Sequence, residues 1–175
     1  MSVVAWDGKT LAADKQATCQ GIKTTCHKIA MVCDEKIDYA VAWVGVLSVG
    51  QTMMQWFASG ADAEDFPSFG TELEGTTLLI VASRKGVMIY EQNPVPLTFF
   101  DKFQAWGSGG PIALGAMAMG ADAKKAVKIA STYDVNCGMG IEYFTVKPDK
   151  KKADEKVSKK EEDKEKRIKK AKEKR

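Results

Sequence analysis

Apolar and polar residues first alternate in short bursts along the chain, then recur at helical spacing, then alternate again. Residues 2–6 (Ser-Val-Val-Ala-Trp) and 10–13 (Thr-Leu-Ala-Ala) read as the two strands of a hairpin. The Asp7-Gly8 pair between them is a turn signal, because a tight primed turn needs the positive φ that glycine tolerates. Two more strands are predicted over 28–33 and 37–44, joined at the polar Asp34-Glu35-Lys36. Val49, Met53, Met54 and Phe57 then recur at i, i+4, i+5 and i+8, giving one apolar face to a helix that begins near Ser48. Residues 59–75, rich in Gly, Pro, Asp and Glu, read as loop. Strands return over 77–83, 86–91 and 97–105, and two helices follow over 111–119 and 121–132. In the second of these, Ala126, Ile129, Ala130 and Tyr133 form the expected buried stripe, and a strand over 141–146 ends the folded part.

Blocks of antiparallel strands alternating with blocks of helices predict α+β layering rather than repeated βαβ units. Two antiparallel sheets packed face to face, with helices outside, satisfy the pattern: a four-layer αββα sandwich. A chain of 175 residues accommodates one such domain with a substantial core. That domain is expected over residues 1–147, followed by a charged tail over 148–175.

Charge sharpens the division. From Asp149 to Arg175 there are 14 Lys/Arg against 8 Asp/Glu, so a net charge of +3 for the chain conceals a body at −3 and a tail at +6. The tail has only Val157 and Ile168 as large apolar residues and cannot bury a core. Acid-to-base pairs at i, i+4 (Glu155–Lys159, Glu162–Lys166, Asp163–Arg167, Glu165–Lys169) add about 0.2–0.5 kcal/mol each to a helix. Such alternating signs favour a solvated face over a nucleic-acid-binding one. No apolar run reaches the roughly 20 residues that span a bilayer, and no basic segment followed by an apolar stretch opens the chain. The expectation is therefore a cytoplasmic protein whose fold starts at its first residues. Cys19, Cys26, Cys33 and Cys137 match no zinc spacing and read as free thiols in a reducing compartment, so no metal is expected.

His27 is the single histidine, and no serine stands in a Gly-x-Ser-x-Gly elbow, so a Ser-His-Asp arrangement has little to draw on. Gly107-Ser108-Gly109-Gly110 lacks the Lys-Ser/Thr that would complete a phosphate loop. One candidate remains at the chain start. Ser2 is small enough for Met1 to be removed during synthesis, which leaves a serine with a free α-amine. That amine ordinarily titrates at about 7.7–8.0 and can act as a general base near neutral pH. Nucleophile and base then belong to one residue, and no histidine is required.

Leu11-Ala12-Ala13-Asp14-Lys15-Gln16-Ala17-Thr18 resembles the second-strand motif of proteasome β subunits and the bacterial protease HslV. Four more segments follow in the order of that family: Thr25-Cys26-His27-Lys28-Ile29, Trp43-Val44-Gly45-Val46, Gly107-Ser108-Gly109-Gly110-Pro111 and Asp134-Val135-Asn136-Cys137-Gly138. Each is weak alone. Together, over residues 2–146, they identify a resemblance to the N-terminal-nucleophile hydrolases.

The resemblance implies a peptidase that cuts through an acyl-enzyme on Ser2, with Asp14 and Lys28 tuning the hydroxyl. It implies an oxyanion-hole amide at Gly45, and support for the amine from Ser108, Asp134 and Cys137. Thr18, Cys26, Trp43, Val46 and Leu47 are implied to line the pocket for the residue before the cut, with an apolar preference. It further implies peptide or unfolded-protein substrates, a homo-oligomeric ring, an ATPase unfoldase as partner, and no cofactor. In this chain serine stands for the usual threonine, and Cys137 for the late serine. The second helix of the family's usual pair is expected to be missing from residues 59–75, and the tail to replace the final strand and helix. Two other functions fit the same fold: a catalytically silent ring or scaffold protein, and a small-molecule amidase. A third, outside it, is a partner- or nucleic-acid-binding module acting through the tail.

Overall fold

A computed structural model describes residues 2–33, 37–70 and 77–147. Residues 34–36, 71–76 and 148–175 lie outside the described residues, and with them the Asp34-Glu35-Lys36 junction, the end of the loop expected over 59–75 and the expected tail.

The first hairpin forms as its turn signal predicts. β1 (Val4–Trp6) pairs with β2 (Thr10–Asp14) in the register Val4↔Ala13, Ala5↔Ala12, Trp6↔Leu11. The Asp7 carboxylate clasps the turn by accepting the Lys9 and Thr10 amides at 3.1 and 2.8 Å. β10 (Gln104–Trp106) adds to β1, and β11 (Ile141–Thr145) to β2, which gives a four-stranded antiparallel sheet in the order β10-β1-β2-β11. A second antiparallel sheet runs β5-β6-β7-β8-β9, formed by β5 (Ile29–Cys33), β6 (Asp38–Val44), β7 (Leu78–Ser83), β8 (Gly86–Tyr90) and β9 (Leu97–Phe99). Among the described residues the helices are α1 (Leu47–Ala58), α2 (Gly110–Ala118) and α3 (Ala123–Tyr133).

Strand alternation decides the layering, since successive side chains point to opposite faces. Val4, Trp6, Leu11 and Ala13 of the first sheet face Ala40, Ala42, Val44, Ile80 and Ala82 of the second and form the central core. Val3, Ala5 and Ala12, from the opposite face of the first sheet, pack under α2 and α3 against Ala113, Met117, Ala126, Val127 and Ala130. Val41, Trp43, Leu79 and Val81, from the outer face of the second sheet, meet Val49, Met53, Trp56 and Phe57 of α1. The result is the αββα sandwich, with one helix over one sheet and two over the other.

Three local readings need correction. The stretch 97–105 is not one strand: β9 belongs to the second sheet and β10 to the first, and the chain crosses between them around the polar Asp101-Lys102. A hairpin of β3 (Gln16–Cys19) and β4 (Ile22–Thr25) had no counterpart among the predicted strands. Its residues are mostly polar, and every position of β4, Ile22 included, is exposed, so no apolar alternation marks it. The buried stripe of α3 is Ala123, Ala126, Val127 and Ala130, whereas Tyr133 at the helix end is 73% exposed. Within 59–70 no helix forms, as the loop reading predicts.

Candidate active site

Local geometry brings Ser2, Asp14 and Lys28 together. In the β1–β2 register Asp14 lies opposite Val3: the Asp14 amide donates to the Val3 carbonyl at 3.1 Å, and the Val3 amide to Asp14 Oδ1 at 3.0 Å. Lys28 immediately precedes β5 on the other sheet, and its carbonyl accepts the Trp43 amide at 3.2 Å. From there its side chain reaches the first sheet. Lys28 Nζ donates to Ser2 Oγ at 2.9 Å, to Asp14 Oδ1 at 2.7 Å and to the Gln16 carbonyl at 2.7 Å. All four residues are buried, none more than 3% exposed.

Charges this deeply buried are tolerable only when paired and fully hydrogen-bonded. Both are. The three donors of the ammonium are spent on three acceptors. The Asp14 carboxylate takes Lys28 and the Val3 amide on Oδ1, and the Gln16 and Gly138 amides on Oδ2 at 3.1 and 3.0 Å.

The glycine-rich turn approaches Ser2 from the far side. Gly107 has φ +86°, and a Cβ there would collide with the Ser2 carbonyl oxygen, so only glycine fits. The Ser108 hydroxyl makes a long contact with that carbonyl at 3.4 Å and another with Cys137 Sγ at 3.8 Å. The Cys137 thiol in turn donates to Asp134 Oδ2 at 3.3 Å. Ser108, Cys137 and Asp134 thus form a chain that meets Ser2 at its carbonyl. Burial pushes the Cys137 thiol up to about 12, and the Asn136 amide at 2.9 Å holds the Asp134 carboxyl below its ordinary range.

A cleft of about 570 Å³ opens on Ser2 and Lys28. Its walls contain Thr18, Cys26, Trp43, Gly45, Val46 and Leu47, all singled out from the sequence. Gly45, at φ +115°, adopts a conformation that side-chain-bearing residues avoid. Directly after it the chain enters α1, whose first turn borders the cleft through Leu47 and Ser48. The N-cap residue, Val46, offers no side-chain cap and no acidic residue sits in the first turn, so the positive dipole end of α1 borders the cleft without a carboxylate of its own helix to offset it. The Val46 amide is fixed by Thr77 Oγ1 at 2.9 Å. Burial raises the Cys26 thiol, with Lys28 pulling the other way.

Several participants escaped the sequence reading. Gln16 supplies a carbonyl to Lys28 and an amide to Asp14, and its side chain donates to the Val135 carbonyl at 3.1 Å. Ala17, Cys19 and Thr24 bring the unpredicted β3–β4 hairpin into the cleft wall, and Gln51 extends the α1 side. Gln16 lies inside the recognised motif, but its contact at Val135 spans 119 residues and leaves no local trace. His27 is not part of the couple: its ring is 78% exposed and bonds Glu142. Among the described residues no group of three or more His, Cys, Asp and Glu could hold a metal ion, and no helix is long and apolar enough to cross a membrane.

No family model matches the chain, and no curated protein does. Solved structures do. Thiobacillus denitrificans BPH, solved alone and in complex with epoxomicin, superposes with a TM-score of 0.61 at 22% identity, over 83% of this chain and 97% of that one. HslV from Trypanosoma brucei superposes with a TM-score of 0.59 at 21% identity, over 82% of this chain and 97% of that one. These likenesses show that the chain has the HslV- and proteasome-like fold.

Proposed function

We propose that this chain, built on the HslV- and proteasome-like fold, is an N-terminal-nucleophile peptidase that hydrolyses peptide bonds through an acyl-enzyme on Ser2. The observation that carries the reading is the buried Lys28 ammonium, 2.9 Å from Ser2 Oγ and 2.7 Å from Asp14, at the floor of an open cleft. A cation so placed favours the alkoxide over the hydroxyl, and Asp14 pairs with it in the interior.

Removal of Met1 frees the Ser2 amine, which takes the hydroxyl proton as Oγ attacks the substrate carbonyl. The oxyanion develops toward the Gly45 backbone and the uncapped start of α1, where fixed dipoles of the right sign stabilise it without reorganising. The protonated amine then passes its proton to the departing amine of the substrate, leaving an ester on Ser2. Water, deprotonated by the same amine, hydrolyses that ester. Ser108, Cys137 and Asp134 brace the Ser2 backbone from behind.

Trp43, Val46 and Leu47 make one side of the cleft apolar, and among the described residues no carboxylate lines it. Peptides with an uncharged apolar residue before the cut are the expected substrates, and basic residues there are disfavoured. In keeping with its fold, the chain is proposed to work in the cytoplasm as a homo-oligomeric ring fed with unfolded protein by an ATPase.

Intact mass of the purified protein, before and after treatment with epoxomicin, tests the reading. An epoxyketone needs both a hydroxyl to add to its ketone and a neighbouring amine to open its epoxide, so it reports both halves of the Ser2 site. Loss of Met1, one adduct mapped to Ser2, and no peptide hydrolysis by Ser2→Ala are the expected results. Retained Met1 with no adduct would leave a ring or scaffold protein. Cleavage of short amides but not of unfolded chains would make it an amidase.

A further inference from the structure

Lys28 can hold three acceptors only if its backbone is fixed, yet it sits in the irregular stretch between β4 and β5. Two backbone bonds anchor that stretch: the Cys26 amide donates to the Lys15 carbonyl at 2.8 Å, and the Trp43 amide to the Lys28 carbonyl at 3.2 Å. A third tie is made by side chains. His27 Nδ1 lies 2.6 Å from Glu142 Oε1, and Lys15 Nζ lies 3.5 Å from the same oxygen. Glu142 belongs to β11, where it pairs with Ala13 while its neighbour Ile141 pairs with Asp14. The carboxylate therefore links the backbone that carries Lys28 to the strand beside the one that carries Asp14. Among the described residues its other oxygen, Oε2, is buried without a partner, so His27 and Lys15 make the polar contacts that hold the Glu142 side chain.

We propose that His27 and Glu142 form a latch that positions Lys28 against Ser2 and Asp14, His27 and Glu142 being positioning residues rather than catalytic ones. The proposal rests on the peptidase reading for its effect on activity, but not for its effect on the segment itself. Neither side chain lines the cleft, so loss of the latch acts on the activation of Ser2 and not on the seating of substrate.

The test compares full-length His27→Ala, Glu142→Ala and the double variant with His27→Asn, whose Nδ2 can take the place of the imidazole Nδ1. Two quantities are read: the rate of epoxomicin adduct formation, with kcat and KM on a peptide, and the exchange of the Cys26 and Trp43 amides with solvent. Each alanine variant should form the adduct about two- to fivefold more slowly, with kcat reduced and KM unchanged, the scale of losing one partly exposed side-chain contact. The double variant should be no slower than the single ones, because all three remove the same bond. His27→Asn should restore the rate. The Cys26 and Trp43 amides should exchange faster in the alanine variants, while those of the β7–β8 ladder do not change. Wild-type rates with unchanged exchange, additive losses, or a change in KM alone would each overturn the latch. Should the wild type form no adduct at all, the peptidase reading fails, and the latch stands or falls on the exchange of those two amides.

Discussion

The Lys28 ammonium and the Asp14 carboxylate meet at 2.7 Å with the two side chains 4% and 0% exposed, and neither has solvent to fall back on. Removing one partner of such a pair costs far more than removing both, because it strands a charge in the interior. Lys28→Met and Asp14→Asn are each expected to destabilise the fold by about 3–5 kcal/mol. The double variant should lose less than the two single losses added together. Urea unfolding of the three variants measures this, and strictly additive losses would contradict the pairing. Each variant should also lose reaction at Ser2, since Nζ is the one cation in contact with Oγ among the described residues.

Gly107 lies against the Ser2 carbonyl. Its φ of +86° and the collision a Cβ would make with the Ser2 carbonyl act in the same direction. Gly107→Ala is expected to displace the start of β1 and cost about 1–3 kcal/mol for the backbone conformation alone. Denaturant midpoints report the stability loss, and the yield of the epoxomicin adduct reports displacement of Ser2. A variant with wild-type values in both would show that the turn gives way instead.

Much of the fold was legible because it is written locally. Asp7-Gly8 announces a hairpin, and the period-two alternation of Val3-Val4-Ala5-Trp6 assigns Val4 and Trp6 to one core and Val3 and Ala5 to another. The β3–β4 hairpin was not legible. Its tip, Gln20-Gly21, has positive φ at both residues, but its strands bury almost nothing that could mark them as strands. The split of 97–105 between two sheets was equally hidden, since a run of apolar residues does not say which sheet each one joins. At the site, Ser2 came from its place after Met1, and Asp14 and Lys28 from recognised motifs, whereas their supports are long-range. The Gly138 amide reaches Asp14 from 124 residues away. Contacts of that kind exist only once the layers have closed.

The four thiols should separate by reactivity. Cys19 and Cys33 are exposed, Cys26 is half-buried with its thiol raised by burial, and Cys137 is buried with its thiol pushed up to about 12. Because the thiolate is the reacting form, a chromogenic disulfide reagent at neutral pH should titrate Cys19 and Cys33 first and Cys26 more slowly. Cys137 should react only on unfolding. Peptide mapping after timed quenching distinguishes the sites, and early labelling of Cys137 would mean that the Ser108–Cys137–Asp134 chain opens in solution.

Cys137 also makes stability depend on pH in a definite direction. Its thiol is raised from 9.0 to about 12 in the folded protein, mainly by burial, with the Asp14 charge adding to it. Between those values the folded state keeps a proton that the unfolded chain has released, so the gap between the two states shrinks as pH rises. The stabilisation is complete below pH 9 and is lost progressively toward pH 12, by about 1.4 kcal/mol for each pH unit in between. Cys137→Ser has no such titration, and a serine hydroxyl is a better donor to Asp134 than a thiol. Urea unfolding at pH 8 and at pH 10 should therefore show a steeper alkaline loss in the wild type than in the variant. Equal slopes would mean that Cys137 ionises as easily in the folded protein as in the unfolded chain, and that it is not shut away behind Ser2 as its contacts require.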